Sequence, residues 1–301
     1  MADNSSNGFS DKSQATAAGP APRRRSSLPL AIVAALLVIV PFLTWYGTWF
    51  GRELTDEQIG EYLSDESHPR KVQHALSQLA ERMDKRDERA RQFYPQLLKL
   101  AGSALMEFRL TVAWLMGKDN RAQEFHTALV RLLDDSEPIV RRNAALSLLT
   151  FGDTSGKREV RAMLQPYTVN STAEGTIMSA LPVGSQVAVG SLLGRLKEAN
   201  GRMLEVRAPL PGKISSLLMS EGAQVKTGDP LCLLAPDEAS VWEALRALYL
   251  IGEREDLPLV ERYSKGVEGM SERVKEQAAL TLKAIQGRSE NSRSAGVANQ
   301  P

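Results

Sequence analysis

Residues 184–193 and 222–231 are near-copies of each other, and no other feature restricts the fold so much. Gly184-Ser-Gln-Val-Ala-Val-Gly190-Ser-Leu-Leu193 returns as Gly222-Ala-Gln-Val-Lys-Thr-Gly228-Asp-Pro-Leu231. A matching lead-in stands before each, Glu174-Gly175-Thr-Ile177 and Pro211-Gly212-Lys-Ile214. The offset of roughly 38 residues lies in the range where internal repeats mark architecture. Each copy reads as a short apolar strand, a glycine turn, a Val-containing strand, a second glycine turn and another apolar strand. Glycine is required at the turns because tight strand connections need positive φ or close backbone approach.

Between the copies lies Glu198-Ala-Asn-Gly201-Arg-Met-Leu-Glu-Val-Arg-Ala208-Pro209. With the flanking repeats, this stretch resembles the biotinyl/lipoyl carrier domains, whose hairpin reads Glu-Ala-Met-Lys-Met with Arg-Ala-Pro some residues later. The resemblance implies a flattened barrel-sandwich of two small antiparallel sheets over residues 168–236, related by a pseudo-twofold axis. Where the carriers hold the lysine that takes biotin or lipoate, this chain has Gly201. Glycine has no amine, so no cofactor is expected there, and Lys197 comes too early, on the strand. The same barrel without its lysine occurs in periplasmic membrane-fusion (adaptor) proteins of efflux pumps and secretion systems. The hairpin tip, Lys197, Glu198, Asn200, Gly201 and Arg202, becomes the candidate partner-binding element.

Helical periodicity surrounds this module. Val72, Ala75, Leu76 and Leu79 fall on one helix face, as do Leu129, Leu132 and Leu133. The segment Leu133-Asp-Asp-Ser-Glu-Pro138-Ile-Val140-Arg-Arg-Asn-Ala-Ala145 places Ser136 as a helix cap with Pro138 in the first turn. It resembles a HEAT repeat, a stacked helix pair, and Leu63 to Leu76 resembles the same unit less closely. The resemblance implies a HEAT-like α-solenoid over residues 51–167 that resumes over 237–287, with the β-module inserted. Because such repeats bury their faces against neighbours, the split stack should close again across the insertion. A Ser/Asn-rich tail, 288–301, is expected to be disordered.

The N-terminal region reads differently. Residues 1–27 are rich in Ser, Ala, Asn, Gly and Pro, too polar to offset the entropy of ordering, and they end in Arg23-Arg24-Arg25. Residues 28–50 carry no charge and match the length of a transmembrane helix. Pro41 is a possible kink within it, and Trp45, Tyr46 and Trp49 sit where interfacial aromatic anchors belong. The arginines before the span and the acidic run after it predict a cytoplasmic N-terminus, a single pass through the inner membrane, and a periplasmic bulk.

The chemistry-bearing residues do not converge. The three histidines show no ligand spacing, the single Cys232 lies in an alternating apolar run, and neither a P-loop nor a nucleophile elbow is present. A net charge of +1 gives no electrostatic case for nucleic acid. The sequence therefore predicts a multidomain α and β chain, not an enzyme: a membrane-anchored, extracytoplasmic scaffold or adaptor for an envelope transport or secretion assembly. Its partners would be envelope proteins, and the lipid bilayer through 28–50. The alternative is a degenerate carrier-type module assisting an enzyme complex.

Overall fold

The computed structural model describes residues 35–42 and 53–298. The chain divides into two units, Met1–Glu53 and Leu54–Pro301. In the first, residues 35–42 form a helix, α1, with every residue exposed. No helix among the described residues is long and apolar enough to cross a membrane. The expected single-pass anchor over 28–50, and with it the inner-membrane location, the periplasmic orientation and the bilayer contact, is corrected on this point. Pro41 lies in the last turn of α1, where it supplies no N–H to an α-helical ladder. Trp45, Tyr46 and Trp49, and the tail 1–27, lie outside the described residues.

The second unit begins with paired helices: α2 (Asp56–Ser64) and α3 (Pro69–Asp84), α4 (Tyr94–Leu100) and α5 (Met106–Met116), α6 (Gln123–Leu132) and α7 (Pro138–Leu148). Local chemistry sets the starts. Thr55 and Gln58 form a reciprocal capping box on α2, and Pro69 and Pro138 open α3 and α7 where a missing N–H costs nothing. Ser136 does not cap α7: the N-cap residue is Glu137, and the Asp135 carboxylate accepts its N–H at 2.9 Å. Apolar faces from all six helices fill one core that includes Leu76, Leu97, Phe108, Phe125 and Leu148.

Polar bonds between successive pairs fix their stacking. Ser147 Oγ donates to the Ala113 carbonyl at 2.8 Å and Thr150 Oγ1 to that of Gly117 at 3.0 Å. Arg109 grips Asp135 with two N–H donors, Nε at 2.7 Å and Nη2 at 3.0 Å. Burial opposes the charge on Asp135, yet the Arg109 hydrogen bonds and the Glu137 N–H hold its carboxyl below the usual range.

Helix α8 (Lys157–Ala162) leads into the β-module, and α9 (Glu238–Ile251), α10 (Leu257–Ser264) and α11 (Glu272–Ala298) follow it. A second core joins Ala145 of α7 and Val160 of α8 to Val241, Leu245, Val260 and Ala278 beyond the module. The stack is thus continuous through space although interrupted in sequence. The Tyr263 hydroxyl donates to the Leu164 carbonyl at 2.8 Å, and Thr281 Oγ1 donates to the Leu245 carbonyl at 2.9 Å. Helix α11 runs on to Ala298, past the limit that composition sets at 287.

The module has eight strands: β1 (Tyr167–Asn170), β2 (Gly175–Ala180), β3 (Gln186–Val187), β4 (Leu192–Lys197), β5 (Met203–Arg207), β6 (Gly212–Leu217), β7 (Gln224–Val225) and β8 (Pro230–Pro236). They form two four-stranded antiparallel sheets in the orders β1-β8-β6-β3 and β5-β4-β2-β7. Replacing each strand by its equivalent in the other copy turns one order into the other, so the sequence repeat is a repeat of topology. Each sheet takes its two long inner strands from one copy and the two-residue strand from the other.

The turns repeat too. Gly184 N donates to the Ile214 carbonyl and Gly222 N to that of Ile177, both at 2.8 Å; Gly190 N and Gly228 N reach Ala208 and Ser171 at the same distance. All four glycines have φ between 80° and 95°. The expected barrel is not closed. Neither hydrogen-bonded ladder continues into the other sheet, and side chains packed between the two sheets hold them together.

Candidate functional site

The five candidate tip residues lie in and beside one turn. Strands β4 and β5 pair with Lys197 opposite Met203, and residues 198–202 connect them. Glu198 N donates to the Arg202 carbonyl and Gly201 N to that of Glu198, both at 2.9 Å. Gly201 adopts φ +85°, a left-handed conformation that a lysine would hold only at a cost. The Asn200 side chain closes the turn: its Oδ1 accepts from Arg202 N at 2.8 Å, and its Nδ2 donates to Glu198 Oε2 at 3.4 Å. The polar groups of the turn are therefore largely satisfied within it, and the tip is exposed.

The supporting sheet fixes this hairpin from behind. A Cβ on Gly175 would lie 2.7 Å from the Lys197 carbonyl oxygen, so only glycine lets β2 approach β4 this closely. Ile177 and Leu196 turn inward to the core. The opposite face carries Lys197, with Thr176 on one side in the register and Met203 on the other. Met178 and Met203 are 48% and 47% exposed, two large flexible apolar side chains beside Arg195 and Lys197. Sequence reasoning missed both. The signal was the alternation of β2, in which Ile177 points inward and obliges Met178 to point out.

A mostly apolar pocket of about 30 Å³, partly open to solvent, is lined by Leu193, Val206, Ile214 and Cys232 together with Ser179 and Arg195. Cys232 is buried, and burial pushes its thiol up, toward the unreactive protonated form. In the helical stack, His126 Nε2 lies 2.7 Å from Asp153 Oδ2, and its ring packs on Phe151 at 5.5 Å. No three His, Cys, Asp or Glu side chains among the described residues are grouped to hold a metal ion.

No family model matches the chain, and no curated protein matches it. Among solved structures, that of a single-chain, multi-domain long-chain acyl-CoA carboxylase matches at 19% identity with a TM-score of 0.23, over 48% of this chain and 16% of that one.

Proposed function

We propose that this chain is a non-catalytic scaffold whose helical stack presents the β4–β5 hairpin to a protein partner. The observation that carries the reading is the hairpin's outer surface. Its turn leaves few polar groups needing a ligand, while Met178 and Met203 stay exposed beside Arg195 and Lys197. Adaptable methionines rimmed by long cationic side chains suit a protein surface better than a small solute. The missing lysine at Gly201 separates the module from a carrier, whose work depends on a tethered prosthetic group.

The test places a photo-crosslinking residue at Asn200 in one protein and at Lys226, away from the hairpin, in another. A discrete adduct from position 200 that disappears when Met178 and Met203 are both changed to Asp supports the reading. Equal labelling from both positions, or adducts indifferent to the methionines, would sink it.

A further inference from the structure

A second surface, on the helical stack, has the character of a binding site. The turn after α3 and the turn after α5 enclose an open polar cavity of about 210 Å³. Four cations line it: Arg86, Arg91, Lys118 and Arg121. Three carboxylates do as well, but each is already engaged. Asp87 is held by Arg89 at 2.7 Å, and Glu88 by Arg91 at 3.0 Å. Asp119, buried in the floor, accepts from the Tyr94 hydroxyl and from Arg121 Nε, both at 2.9 Å. Lys118 is drawn outward to Asp84 at 2.6 Å and stacks on Trp114.

Arg86 is left over, with no side-chain hydrogen bond or ion pair among the described residues. Its backbone is as unusual as its side chain. Arg86 N donates to the Met83 carbonyl and Asp87 N to that of Arg82, the paired bonds that end a helix on a left-handed residue. That position favours glycine. Among the described residues Arg86, at φ +56°, is the one non-glycine with positive φ. A bulky cation therefore occupies a strained position at the rim of a cavity whose anions are all spoken for.

We propose that this cavity docks an acidic peptide segment, with a carboxylate taken by Arg86; Arg91 and Arg121, each bridged to both Glu88 and Asp119, add to the positive lining. Guanidinium forks match carboxylates geometrically, and a stack of helix pairs offers an extended edge along which a peptide can lie. The exposed Lys85 beside Arg86 extends the positive rim. This site is separate from the β4–β5 hairpin, and its failure would leave that reading intact.

The probe is a fluorescein-labelled hexaglutamate peptide, titrated into the full chain at low salt and followed by anisotropy, with hexaglutamine as the neutral control. Saturable binding of hexaglutamate alone is expected, weakened about tenfold by Arg86→Gly through loss of a charge-assisted contact. Because glycine fits the left-handed position, the Arg86→Gly protein should melt no lower than wild type, so weakened binding would not reflect unfolding. Lys226→Ala, a change at an exposed cation of the β-module outside the cavity, should leave affinity unchanged. The proposal is overturned by an absence of saturable binding, by Arg86→Gly binding as wild type, or by Lys226→Ala weakening binding as much as Arg86→Gly.

Discussion

Unfolding the β-module should harm the helical stack more than removing it. The first and last strands of the module pair, with Tyr167 opposite Leu234, so the folded module holds its two ends about 5 Å apart. A linker of about four residues spans that gap easily. An unfolded module would leave a disordered loop of about 70 residues between α8 and α9, and closing it costs about 2–3 kcal/mol more than closing a loop of about four. For a stack of this size, that difference corresponds to about 5–10 °C in melting temperature. To unfold the module in place, Gly194→Val and Gly212→Val are combined. A Cβ at 194 overlaps the Ser179 carbonyl oxygen, and one at 212 overlaps that of Ala235, so each sheet is forced apart at its backbone. The comparison protein replaces residues 168–236 with a Gly-Ser linker. Both lack the folded module, so its contacts with the stack cancel. The chain carries its own probes. Its single cysteine, Cys232, is buried in the module, while Trp114 and Trp242 lie in α5 and α9. In the double-valine protein Cys232 should react with a thiol reagent, and tryptophan fluorescence should report a melt about 5–10 °C below that of the excised chain. If Cys232 is open and the two melts coincide, the continuity of the stack across the insertion does not couple to the module as argued.

Two further predictions concern the stack. Asp135→Asn removes a carboxylate that is 6% exposed and strands the partly buried Arg109, so a loss of about 3 kcal/mol is expected in urea unfolding at neutral pH. Because the folded pKa of Asp135 is depressed, its contribution is complete above the unfolded value of about 3.9 and is lost as pH falls through the folded value. Wild type should therefore lose more stability than Asp135→Asn between neutral pH and about pH 3, and equal losses would count against the pairing. Gly156→Ala places a Cβ 2.6 Å from both Cα and Cβ of Ala145, in the core shared by α7, α8 and the helices after the module. Overpacking there should cost about 1–3 kcal/mol, and a melt unchanged from wild type would show that the seam is looser than its geometry.

Some of this structure is legible in the residues because one conformation excludes most amino acids. The glycines at 184, 190, 222 and 228 mark turns in the sequence, and each has the positive φ that makes glycine necessary. Apolar spacing identifies Val72, Ala75, Leu76 and Leu79 as one face, and all four are fully buried. Composition is a weaker guide. The uncharged run over 28–50 suggests a spanning helix, but the described helix covers eight of those residues, 35–42, and no helix among the described residues is long and apolar enough to cross a membrane. The barrel expectation failed for a different reason. A repeat shows which strands correspond, not whether the ladder closes, and here each copy lends its two-residue strand to the other sheet and both sheets stay open.

The two candidate surfaces differ in legibility because of how each is assembled. The hairpin is local: Lys197 through Met203 are contiguous, so their meeting needs no tertiary information, and even the missed Met178 follows from the alternation of its strand. The cationic cavity is built by turns from two successive helix pairs, and periodicity says nothing about turns. It places Val72, Ala75, Leu76 and Leu79 on one face but gives no sign that Arg86 and Arg121 face one space. One local sign was present, an Arg where the end of α3 calls for glycine. It becomes readable only once the helix boundary is known to within a residue, because the preference for glycine belongs to a single position after the last helical turn. A strained cation kept at that position, with glycine the simpler solution, is therefore an observation that only the folded chain supplies.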